Sequence, residues 1–263
     1  MNEQVFALPL AWNPPASPED LERTAEQLRM DWPEEVAALY RQHDGAAGLA
    51  DDWEDAWAER LDTDEDACPQ VPRLMPLDEV RDFYSGTSSF VMPDIRLFWS
   101  DDNSNYVGVY VGEVFTGAVC LLHHEEQTEV APRFHRVSDF LAWMVAHPDE
   151  DVFSSTLVPS LYPRVVPDPE TSELEWAAAY SLYARADRTT DNPLLAVAMN
   201  ATPVEHSSEL LSYLDHEDFY IAERAVEILG TRRYLPARKA IEHLAVHGVA
   251  NARSAALRVL SRW

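Results

Sequence analysis

The sequence predicts an α+β domain, an antiparallel sheet flanked by helices, followed by an all-α region of repeated helix pairs. Three observations carry that expectation. Short β runs separated by turn residues lie between Arg96 and Leu122, amphipathic helical patterns flank them, and from about Asp168 onward the apolar residues keep a 3.6-residue phase. At 263 residues, 46% of them hydrophobic, the chain is long enough for one or two cores.

Ser17-Pro18-Glu19-Asp20 starts the first helix, with a serine cap, proline in the first turn and acids near the positive dipole end. It is expected to run to about Met30. A second helix begins near Asp31-Trp32-Pro33-Glu34, places Val36, Leu39 and Tyr40 on one face and is expected to stop at Gly45. Residues 51–66, DDWEDAWAERLDTDED, then hold nine acidic residues and two tryptophans four apart. A helix here would put Trp53 and Trp57 on one face. Either the indoles anchor a solvated insertion, or they join the acids in an aromatic contact surface.

From Val71 the pattern turns to β. Arg96-Leu97-Phe98-Trp99, Tyr106–Val111 and Gly117–Leu122 form a meander, with Gly112-Glu113 turning the second strand into the third. The loop SDDNSNYVGVYVG places Asp101, Asn103 and Asn105 at alternate positions, as a calcium loop would. That template then demands Gly where Tyr106 stands and Glu where Gly112 stands, so the residues are expected to turn the chain. A helix over Val137–Val145, with Ser138 as its cap, closes the unit. Pro159, Pro163, Pro167 and Pro169 mark a stiff linker, giving domains at 1–158 and 168–263. Beyond it, Ile221, Ala225, Val226, Ile228 and Leu229 recur 31 residues later as Ala252, Ala256, Leu257, Val259 and Leu260, and 31 residues earlier more weakly as Leu194, Leu195, Val197 and Ala198. Three helix pairs fit the length, near the minimum for a stack that shares one core.

The formal charge of −26 argues against a nucleic-acid partner, whose phosphates are bound through Lys and Arg, and favours a basic protein. The acidity is lopsided. Residues 1–165 hold 32 Asp and Glu against 10 Lys and Arg, whereas residues 166–263 hold 14 against 10. Surplus acid of this kind either maintains solubility or steers a positively charged partner. The late stretch Arg224–Trp263 reverses the sign, with eight basic residues against Glu227 and Glu242; those cations face an acidic partner, or they pair with local acids or dock on the acidic first domain.

Two cysteines, Cys68 and Cys120, without C-x-x-C spacing suit a reducing compartment, and no apolar run reaches the roughly 20 residues of a membrane span. A cytoplasmic protein with no membrane partner is expected. Nothing in the sequence carries catalysis: no nucleophile elbow, phosphate loop or dinucleotide fingerprint is present. His123-His124-Glu125-Glu126 alternate across a strand and cannot converge on one ion, while His243 and His247 lack the glutamate of a zinc-protease helix. No metal or cofactor is expected.

The segments WPEEVAALYRQHDG, RLMPLDEV, FWSDDNSNYVGVYV and SDFLAWMV, in that order over residues 17–147, resemble the SUKH superfamily. That group consists mainly of bacterial immunity proteins and includes a yeast regulator of cell-wall synthesis. The chain departs from it at His43-Asp44-Gly45-Ala46, where Asn-Gly-Gly is usual, and in the insertion at 51–66. DFYIAERAVEILG, Asp218–Gly230, is similar to a short HEAT-like repeat. The resemblance implies a protein-binding module, an immunity protein that covers the active site of a basic toxin domain such as a nuclease. The alternative is a regulatory or scaffold protein whose repeats hold a cellular partner. The expected contact residues are Asp51, Asp52, Trp53, Glu54, Asp55, Trp57, Asp62, Asp64, Glu65 and Asp66, followed by Asp101 and Asp102.

Overall fold

The computed structural model of the chain describes residues 8, 10–49, 71–86, 94–112, 115–123, 131–148, 150–155, 157–159, 161–165, 168–185 and 192–263. They divide into two compact units, one drawn from Met1–Glu126 and Pro132–Pro159, the other centred on Ser160–Trp263.

In the first unit the helices are α1 (Pro18–Leu28), α2 (Glu34–Tyr40), α3 (Leu77–Gly86) and α4 (Val137–Ala146). Strands β3 (Arg73–Leu74), β4 (Ile95–Ser100), β5 (Tyr106–Tyr110) and β6 (Val119–Leu122) form an antiparallel sheet in sequence order. Two further strands, β1 (Leu10–Trp12) and β2 (Ala46–Leu49), pair with each other. Their shortness hid them in the sequence, since three or four residues cannot establish an alternation.

Every residue of β4 and β6 is buried, so the sheet is covered on both faces. A bulge between Leu97 and Trp99 inserts Phe98 into the β4–β5 ladder. Phe98 packs against Trp32 and Tyr40, and Trp99 packs edge-on against Phe140. Across the sheet Gly108 is the close-approach point: a Cβ there would lie 2.6 Å from Ile95 and 3.0 Å from the Cys120 sulfur. Burial pushes the Cys120 thiol up to about 12, the state of a packed side chain.

Ser17 caps α1 as expected, accepting from the Asp20 N–H at 3.0 Å. Two other end signals differ. The helix α2 ends at Tyr40, five residues before Gly45, because the chain turns there to bring Gly45 (φ +69°) against the backbone of Leu74–Pro76, where a Cβ would lie 2.4 Å from the Pro76 nitrogen. Ser138 does not cap α4, which begins one residue earlier at Val137. Its N–H and hydroxyl instead donate to the Glu35 carboxylate at 2.8 and 2.9 Å, so a residue of α2 satisfies the open end of α4.

The second unit is helical throughout its described elements: α5 (Pro169–Arg185), α6 (Asn192–Ala201), a 3-10 segment (Val204–Tyr213), α7 (Phe219–Thr231), α8 (Arg238–His247) and α9 (Ala250–Leu260). The 31-residue periodicity lands on corresponding helices. Ile221, Ala225, Val226, Ile228 and Leu229 are fully buried in α7, and Ala252, Ala256 and Val259 are buried in α9. Leu257, the counterpart of Val226, departs from the pattern and is 55% exposed. Gly230 sets the spacing of α7 and α9, as its missing Cβ would meet Val259 at 2.3 Å.

Candidate functional site

Asp101, Asp102, Asp78 and Glu79 lie where β3, the β4–β5 loop and the start of α3 meet. Local chemistry builds each piece. In the loop, Asp101 is 8% exposed and accepts from the N–H groups of Asn103 (2.8 Å) and Asn105 (3.0 Å) and from the Asn105 side-chain amide (2.6 Å). This Asx turn lets Asp102 (φ +62°) and Ser104 (φ +70°) take left-handed conformations. The alternation of Asp and Asn therefore makes a hairpin connection, and among the described residues no group of three or more His, Cys, Asp or Glu side chains could hold a metal.

Arg73 on β3 is clamped twice. Its guanidinium donates to both Glu79 oxygens at 2.8 and 2.9 Å, and to both Asp102 oxygens at 2.9 and 2.7 Å. These bonds, Asp102 foremost and then Glu79, raise its pKa further, so the charge is permanent. One cation shared between two carboxylates leaves the cluster negative. Arg73 keeps only 14% of its side chain exposed, against 40% for Glu79 and 62% for Asp102. The outer surface is therefore the carboxylates' own.

Asp44 belongs to the same end. It accepts from the Leu77 N–H at 2.9 Å at the start of α3, and its pKa is raised by burial and by the neighbouring charges of Asp78 and Asp20. Tyr106 is raised in turn, by burial first and then by Asp101, Glu79 and Asp102. Arg81 offsets part of this field through Asp20 (3.7 Å) and the Thr24 hydroxyl (2.9 Å).

Of the sequence-expected contact residues, Asp101 is committed to its turn, and Asp102 lies on the surface beside Arg73 and Glu79. Asp51, Asp52, Trp53, Glu54, Asp55, Trp57, Asp62, Asp64, Glu65 and Asp66 lie outside the described residues. The chain returns from that segment at Val71-Pro72, next to the Arg73–Ser100 step of the β3–β4 ladder. Glu79 and Asp78 were missed by sequence reading, although RLMPLDEV carried the signal: acids in a helix's first turn, two residues from a strand.

His123 follows the end of β6, and His124, Glu125 and Glu126 lie outside the described residues. His243 and His247 meet ring to ring at 4.6 Å. Of the late cations, Arg224, Arg238 and Arg258 do pair with local glutamates, at 3.3, 3.0 and 3.0 Å for the shortest bond of each. Arg232 is held differently: it donates to the carbonyls of Thr202, Pro203 and Arg164 and to the Ser207 hydroxyl, and burial lowers its pKa to about 10.

An antiparallel meander with helices packed on it, carrying Asp102 and Glu79 on its surface, makes the first unit an α+β domain. Residues 15–143 match the model of the SMI1 / KNR4 family (SUKH-1). No curated protein matches the chain. The family supports a protein-binding role. No helix among the described residues is long and apolar enough to cross a membrane.

Proposed function

We propose that the chain is a non-enzymatic immunity protein that neutralises a polymorphic toxin by binding a basic toxin domain and covering its active site. The observation that carries this reading is the excess of negative charge on a domain that matches the SMI1 / KNR4 family model: 32 acids against 10 bases in residues 1–165. A potential of that sign raises the encounter rate with a cationic partner by roughly 10- to 1,000-fold and weakens with salt. Asp102 and Glu79 form the described part of the contact surface, and Asp51–Asp66 with Trp53 and Trp57 supply the rest. The helical unit serves as a HEAT-like scaffold, and the protein acts in the cytoplasm, where the toxin would act.

The test uses the product of a large secreted-toxin gene adjacent to this one. Changing Asp51, Asp52, Glu54 and Asp55 to Ser should slow its association at low salt by about tenfold and leave the slow rate at high salt unchanged. An association rate insensitive to both salt and these substitutions would remove the steering mechanism. Absence of any adjacent toxin gene would favour a cellular regulator instead.

A further inference from the structure

Within the helical unit, α7 and α9 leave a cleft of about 210 Å³ beside the point where Gly230 admits Val259. Its floor is apolar: Ile228 and Ala255 are fully buried and Val259 is 7% exposed. Its rim is cationic, with Arg224, Arg258 and Arg262 converging on it around the single carboxylate of Glu227.

The arginines are unequally engaged. Glu227 pairs with Arg224 at 3.3 Å and with Arg258 at 3.0 Å, and Glu223 adds a second bond to Arg258 at 3.1 Å. Both Arg258 bonds leave from Nη2, so Glu223 and Glu227 orient its guanidinium without using the other donors. Arg262 is exposed and makes no side-chain hydrogen bond or ion pair with the described residues. An apolar floor under forked donors fits a ligand with one hydrocarbon group and one oxyanion.

Size and charge narrow the ligand. At about 210 Å³ the cleft is smaller than the roughly 300–1,000 Å³ that cofactors and drug-sized ligands occupy, which leaves room for one side chain. Glu227 at the rim and Glu223 behind it penalise a dianionic phosphate more than a singly charged carboxylate. We propose that this cleft is a binding site for a monocarboxylate bearing one apolar side chain, the chemistry shared by the C-terminal residue of a peptide and a free branched-chain acid. It is independent of the capture surface on the first unit and opposite to it in sign.

The Trp263 indole N–H donates to the Gly230 carbonyl at 3.1 Å, so its NMR resonance, identified by its loss in Trp263→Phe, reports on the cleft wall. Titrating the full chain with N-acetyl-leucine should shift that resonance saturably, with a dissociation constant in the millimolar range. Arg262→Gln should weaken binding about tenfold, the loss of one charge-assisted pair. Arg233→Gln, an equal charge change at an exposed position off the cleft, should alter it by less than about twofold. A leucine-terminated peptide that binds only with a free carboxyl would assign the source to a protein terminus; binding of N-acetyl-leucine but not of that peptide would assign it to a free acid, and either supports the site. No shift with any probe, an equal shift with N-acetyl-leucinamide or inorganic phosphate, or indifference to Arg262→Gln would overturn it.

Discussion

The two units bury different materials and tie them together over different distances. In the first, the largest sealed side chains are rings, Trp99, Tyr40, Tyr110, Phe98 and Phe140, each under 2% exposed. The side-chain bonds around that core join residues far apart in the chain: Tyr40 to the Met75 carbonyl across 35 residues, Arg96 to the Leu28 carbonyl across 68, Ser138 to Glu35 across 103. In the second unit the core is aliphatic and small, with Ala225, Ala255 and Ala256 fully buried beside Ile221, Ile228 and Leu195. Its links are mostly shorter, as between Asn251 and Glu223 (28 residues) or Trp263 and Gly230 (33 residues), Arg232 to Arg164 at 68 being the long one. The first unit should therefore behave as one cooperative block, and the second should gain and lose stability helix pair by helix pair.

The strongest way to break that contrast is Trp99→Ala. Removing a sealed ring should cost about 3–5 kcal/mol in denaturant unfolding and lower the transition of the whole first unit while the helical unit keeps its own. One shared transition that shifts as a whole would show the contrast to be false. Gly230→Val comes next, expected at about 1–3 kcal/mol, because the new side chain collides with Val259. Hydrogen exchange should accelerate in α8 and α9 and stay unchanged in α6; uniform acceleration would mean that the repeats do not act separately.

Asp101→Ala should cost about 1–2 kcal/mol by releasing the turn that three hydrogen bonds hold, with the loss shared across the sheet rather than confined to the loop. The smallest effect is a titration in the second unit. His206 stacks on Trp176 at 4.7 Å, with Nδ1 at 2.8 Å from Glu209 and Nε2 at 2.9 Å from Glu173. Both ring nitrogens meet carboxylates, so the imidazolium is the form that fits, and its pKa is raised by Glu209 first and then by Glu173. A raised histidine pKa contributes stability fully below the ordinary value near 6.5 and loses it as pH climbs through the folded value. Protection of α5 should fall over that window in the wild-type chain and stay flat in His206→Gln.

The parts of the fold that were legible in the sequence are those whose causes lie within a few residues. Ser17 caps a helix because the N–H it accepts from is three residues away, and Asp101 shapes a turn whose partners are two and four residues on. The apolar phase announced the buried face of α7 and, Leu257 apart, that of α9, because apolar spacing is a local property. Ser138 misled for the opposite reason: it looks like a cap, but Glu35, invisible at that distance along the chain, takes its hydrogen bonds.

At the candidate site, Asp102 was legible as an acid in a hairpin loop, whereas its pairing with Arg73 and Glu79 was not, since nothing in the order of residues says that β3 lies against the end of β4. Sequence alone settled the α+β character, the turn chemistry, the helical phase and the lopsided charge, all sums of short-range preferences or simple composition. Tertiary structure alone decided that Arg73 is shared by two carboxylates, that Arg232 is fed to backbone carbonyls and that Gly230 opens a cleft under three arginines. Each of those depends on segments that meet only after the chain has closed long loops, and closure is governed by the packing of the whole core rather than by any one stretch.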